Sequence, residues 1–276
     1  MTSTKKLTKD KIMSLAYHDI FDYPLAEGEL SRWRVGRKYA VIKITPPTEE
    51  KDGYYFLKRR GGIVKKRLAK EKTSSRKLKI LKGYEKFFFL VPSIKFVGIT
   101  GSLAMNSASG ASDIDLILIT KTGTMWSSRF FLLLLLKIFS VPVRRAGVKK
   151  QKDMLCLNMW FDESDLVWPN SERNVFTAHE IAQIVPLINK DSTYERLISK
   201  NSWIFDYWPA SVEVGKFKIK GKRKLDGSLI EKLMYWSQKL YMKGKITYER
   251  VTPTRAFFHP RNLSEDVLLK LQQKLK

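Results

Sequence analysis

Residues 99–119, ITGSLAMNSASGASDIDLILI, decide how this chain is read. With the residues ahead of it, the stretch opens as a strand, IKFVGIT from Ile94. It then makes a Gly-Ser turn and, after ten more residues, enters a second strand, DIDLILIT at 113–120, dominated by Ile and Leu. Gly101 has no β-carbon, so backbone there can approach a phosphate closely, and Ser102 offers a hydroxyl and an amide where LAMNS reads as the start of a helix. Asp113 and Asp115 are two apart on a strand, so both carboxylates leave the same face, separated by roughly 6.5 to 7 Å of rise. Two such oxygen donors can share divalent ions, and a pair of hard cations stabilises the attacking and leaving oxygens of phosphoryl or nucleotidyl transfer.

A hydrophobic strand, Gly-Ser, a spacer and Asp-x-Asp followed by apolar residues resembles the signature of the polymerase beta-type nucleotidyltransferase superfamily. The pattern is closest to the minimal nucleotidyltransferases. Ala104 and Ser112 match their spacer, whereas Met105 and Asn106 stand where Arg and Gly are usual. The resemblance covers about residues 94–120. It implies an α/β (α+β) domain with a small mixed sheet, a nucleoside triphosphate as substrate, and Mg2+ or Mn2+ held by Asp113 and Asp115 as the catalytic pair. It also implies a phosphate turn at Gly101 and Ser102, and a third carboxylate on a later strand.

The later strand is MLCLNMWF at 154–161. Alternation places Asn158 on the site-facing side with Cys156 and Trp160; Asp162 shares that parity at the strand end, and Asp153 lies just before it. An Asn at the third position can bind but cannot take a proton from an acceptor hydroxyl. Lys121, Arg144, Arg145, Lys149 and Lys150 flank the sheet and can clamp a triphosphate or stay solvated. His179-Glu180 lacks the second histidine of a zinc HExxH motif and reads as packing. Residues 215–222, GKFKIKGK, have the wrong spacing for a P-loop, and no G-x-S-x-G nucleophile motif is present.

Outward from this core, VPVRR at 141–145 reads as a further strand and residues 125–139 as a helix. Residues 1–90 form a winged-helix-like region: a helix over 9–21, a second helix opened by Pro24, a short strand YYFLK after Asp52-Gly53, and a long basic helix over about 63–88. Arg32, Arg34, Arg37 and Lys38 can meet DNA or RNA there, or the region can serve packing or dimerisation. The nucleotidyltransferase domain is expected at 91–168 and a C-terminal helical region at 169–276. Its aromatics (Trp203, Tyr207, Trp208, Tyr235, Trp236, Tyr241) are expected in the core rather than on a base.

Fifty-two Lys and Arg against 27 Asp and Glu give a net charge of +25, so polyanions, including nucleic acid, are natural partners. One cysteine excludes an internal disulfide and fits a reducing, cytoplasmic compartment, and the basic N-terminus lacks the apolar core of a secretory leader. The most apolar run, FFLLLLLKIFSVPV at 130–143, is short of the roughly 20 residues of a spanning helix, so no membrane insertion is expected. Two functions compete: nucleotidyl transfer to a protein, RNA or small-molecule acceptor, and a degenerate fold that binds nucleotide or nucleic acid without turnover, as a module or regulator.

Overall fold

The structure is a computed structural model and describes residues 7–36, 46–145, 151–213, 228–243, 250–258 and 263–275. Arg37, Lys38, Lys149 and Lys150 lie outside the described residues, as does the stretch 215–222. The chain begins with helix α1 (Lys9–Asp19), strand β1 (Leu25–Ala26), helix α2 (Glu27–Arg32) and the hairpin β2 (Thr48–Lys51) and β3 (Tyr54–Leu57). The three strands pair antiparallel in the order β1-β3-β2. The expected Pro24 helix is shorter than its sequence suggested: Leu25 and Ala26 pair with Tyr55 and Tyr54, and the Glu29 carboxylate caps the helix by accepting from the Ala26 amide at 2.9 Å.

Helix α3 (Gly62–Phe89) runs without a break through Ser74-Ser75, where both hydroxyls donate to carbonyls one turn back instead of competing for the helix's own amides. It leads into β4 (Ile94–Ile99), the one-turn helix α4 (Gly101–Ala104), β5 (Ile114–Thr120), α5 (Met125–Ile138) and β6 (Leu155–Asp162). Then come α6 (Val175–Ala182), β7 (Val185–Asn189), α7 (Thr193–Lys200), α8 (Ile204–Tyr207), α9 (Leu229–Met242), the hairpin β8 (Arg250–Val251) and β9 (Arg255–Phe257), and α10 (Leu263–Lys274). The main sheet has the order β7-β4-β5-β6-β9-β8. Strands β5 and β6 are parallel and joined through α5, while the other neighbours are antiparallel.

Two expectations for this sheet are corrected. Residues 141–145 form no strand; Val143 makes a single bridge to Leu155, since Pro142 precedes it and has no amide to give. The last third is not purely helical either, for β7, β8 and β9 complete both edges of the sheet. Val185-Pro186-Leu187-Ile188 extends α6's apolar pattern in sequence, but Pro186 stops the helix and suits an edge strand.

Alternation along β5 builds two cores. Ile117 and Ile119 face α1, α6 and α8; Leu116 and Leu118 face α3 and α5. The N-terminal helices therefore share an apolar core with the sheet. Among the described residues no helix is long and apolar enough to cross a membrane.

Candidate functional site

The site sits where β4, β5 and β6 open at the Gly101 end of the sheet. Strand pairing carries past Ile99, with the Thr100 amide donating to the Asp115 carbonyl at 3.0 Å, so the turn at Gly101 lies directly over Asp115. Gly101 adopts φ +60°, the left-handed region that glycine tolerates at little cost. A β-carbon there would stand 2.8 Å from Oδ2 of Asp115. Ser102 is exposed beside it. Helix α4 is one turn of four residues, so anion binding here rests on the amides of the turn rather than on an extended helix dipole.

The loop between turn and carboxylates is held from α3. Ser74 Oγ accepts from the Ala108 amide at 2.9 Å. The fully buried Lys77 donates to the Ser112 carbonyl and to Asp153, both at 2.6 Å. Arg76 grips the same carboxylate in a bidentate pair at 2.8 Å. Asp153, one of the candidates for a third carboxylate, is thereby a structural anchor; its hydrogen bonds to Arg76 and then to Lys77 hold it down to about 2.

Asp113 and Asp115 project together as expected, and Cys156 joins them: Asp113, Asp115 and Cys156 each offer one ligand atom, all within 4.8 Å of one another. This is the one group of three or more potential ligands among the described residues. Arg144 donates to Asp113 Oδ2 at 2.7 Å and stands 3.7 Å from Cys156 Sγ. Burial, and then the charge of Asp113, push Asp115 up to about 6. Burial and the two carboxylates also raise the Cys156 thiol. The donor set fits a divalent cation, whose charge would offset that repulsion and draw the thiol proton off. The two carboxylates favour a hard cation, whereas a thiolate favours a softer one.

Asn158 reaches this cluster. Its Nδ2 donates to Asp115 Oδ1 at 2.9 Å, and its Oδ1 is buried without a hydrogen-bond partner. The remaining parity expectations for β6 fail, because the register shifts: Asp115 pairs with Cys156, but Ile117 pairs with Met159. The extra residue turns Trp160 to the opposite core and carries Asp162 away, where it accepts from the amides of Gly123 and Ser164.

A carboxylate that sequence reasoning set aside stands in the same field. Glu180, on α6, is pushed up to about 7 by burial and then by the charge of Asp115, against a hydrogen bond from Gln183 at 2.6 Å. No spacing rule could have found it, since it comes from a separate helix. Its neighbour His179 packs as expected, Nε2 to Nε2 at 3.2 Å from His18 and among Tyr17, Trp33 and Trp208. Lys121 and Arg145 are exposed.

Protein-family models, curated proteins and solved structures were all compared with the chain. None of them matches it.

Proposed function

We propose that this chain is a metal-dependent nucleotidyltransferase of the polymerase beta type, moving a nucleotidyl group from a nucleoside triphosphate to a protein, RNA or small-molecule acceptor. The observation that carries the reading is the seating of the left-handed Gly101 turn against Asp115, so close that a β-carbon would push the carboxylate aside. The turn lies against one member of the carboxylate pair, and that proximity of a phosphate-binding backbone to metal-binding carboxylates is what such a transfer requires.

Asp113 and Asp115 hold Mg2+ or Mn2+, which when bound supplies positive charge to the triphosphate and to the attacking and leaving oxygens. The backbone at Gly101 and Ser102 binds phosphate oxygens. Arg144, paired with Asp113 at 2.7 Å, would be free to pair with triphosphate oxygens if a cation were held by Asp113. Glu180, raised to about 7 by burial and then by the charge of Asp115, is the carboxylate outside the pair to test as the group taking the acceptor's proton. The N-terminal order of helix, strand, helix, then a two-stranded hairpin supports a winged-helix role, and with the net charge of +25 it supports nucleic acid as one acceptor or regulator.

A second reading is favoured by the Asn158–Asp115 hydrogen bond: a nucleotide-binding module in which an amide has replaced the third acid and turnover is lost. Incubation with nucleoside triphosphates labelled at the α-phosphorus, with Mg2+ or Mn2+ and cellular RNA and protein, separates the two. Covalent label on an acceptor establishes transfer; bound but unreacted nucleotide establishes the module.

A further inference from the structure

Helix α9 has two apolar faces where a surface helix needs one. Glu231, Tyr235 and Met242 are buried, and the Tyr235 ring packs tilted against Trp126 of α5, centroids 5.3 Å apart. Glu231 fixes the contact by accepting from the Trp126 and Ser127 amides at 2.5 and 3.0 Å. On the opposite side Leu229, Leu233, Trp236 and Leu240 are 62% to 83% exposed. At ~100° per residue these four fall within an arc of about 60°. Lys232, Lys239 and Lys243 fall within about 40° along one flank of it. The Lys239 ammonium lies 5.1 Å from the Trp236 ring centroid and donates to the Tyr235 hydroxyl at 2.9 Å, which holds positive charge beside the stripe. Neighbouring α5 adds exposed Phe131, Leu134 and Ile138.

From this we infer that the outward face of α9 docks the protein on an anionic lipid surface, with the helix lying in the headgroup region rather than crossing it. Monomeric proteins rarely leave such a stripe to water. The flanking lysines identify the occupant. A second copy of this chain would bring another net charge of +25 against them, whereas anionic headgroups complement that row and leave the Leu-Trp stripe to the acyl boundary. Tryptophan is the residue that settles best at that boundary.

The test is vesicle flotation of the 276-residue chain with phosphatidylcholine alone and with phosphatidylglycerol mixed in. The protein is expected to float with the mixed vesicles only. Lys232→Gln/Lys239→Gln/Lys243→Gln should weaken binding roughly 100-fold, at ~1 kcal/mol per lysine. Leu233→Ser/Trp236→Ser should weaken it roughly tenfold or more with the net charge unchanged. Brominated lipids should quench the unsubstituted protein's tryptophan fluorescence, and Trp236→Phe should remove that quenching, a readout independent of how the double variant folds. Equal binding by Leu233→Ser/Trp236→Ser and the parent protein, or no binding by the parent, overturns the inference. So does a dimer in light scattering that the same pair of substitutions dissolves while vesicles are ignored.

Discussion

Asn158, on β6, donates a hydrogen bond to Asp115 at 2.9 Å. The amide satisfies one carboxylate oxygen without adding charge, in a cluster that already holds Asp113, Asp115 and Cys156 within 4.8 Å. Asn158→Asp sets a further negative charge there. It is expected to lower Tm in a chelating buffer, and Mn2+ should restore Tm and raise it above that of the parent protein with Mn2+. Differential scanning fluorimetry reads both; a variant indifferent to Mn2+ would place the cation elsewhere.

Gly101→Ala tests the turn. The new β-carbon meets Asp115 Oδ2 at 2.8 Å, and φ +60° adds a backbone cost of roughly 1–2 kcal/mol. Folding should survive, seen as retained circular dichroism with a Tm a few degrees lower, while Mn2+-dependent nucleotide affinity falls at least tenfold. Unchanged affinity would show that the turn and the carboxylates do not act together.

Glu180 supplies a pH dependence. Its pKa is raised to about 7 in the folded chain, so between its ordinary value near 4.5 and 7 the folded state binds more protons than the unfolded one. Stability from this group is therefore full at low pH and is lost as pH rises through about 7. Glu180→Gln should flatten that fall and make the protein more stable above pH 7, by an amount on the order of a few kcal/mol. Any transfer activity should rise with pH through about 7 in the parent protein and lose that limb in the variant. A parent-like profile in Glu180→Gln would remove Glu180 from the reaction.

Much of the site was readable in advance because its parts are local. Gly101, Ser102, Asp113 and Asp115 lie within one strand-turn-strand segment, and period-2 alternation places both aspartates on one face. Helix α3 was legible as a long basic helix and α5 as an apolar one. What escaped depends on contacts remote in sequence. The bulge between Cys156 and Met159 breaks the parity that put Trp160 and Asp162 toward the site. Glu180 is raised by burial and by the charge of Asp115, both of which come only with folding, because it lies on a separate helix. Of the aromatics expected in the core, Trp208, Trp203 and Tyr235 are buried, yet Trp236 and Tyr241 are exposed, because α9 meets the body through one face only.

The most direct measurement is isothermal titration of a nucleoside triphosphate into the protein with Mn2+ and with chelator, beside Asp113→Asn/Asp115→Asn. The account predicts binding that needs Mn2+ and disappears in the double variant while the variant's circular dichroism stays that of the parent. Nucleotide binding of equal strength in the folded double variant would contradict it.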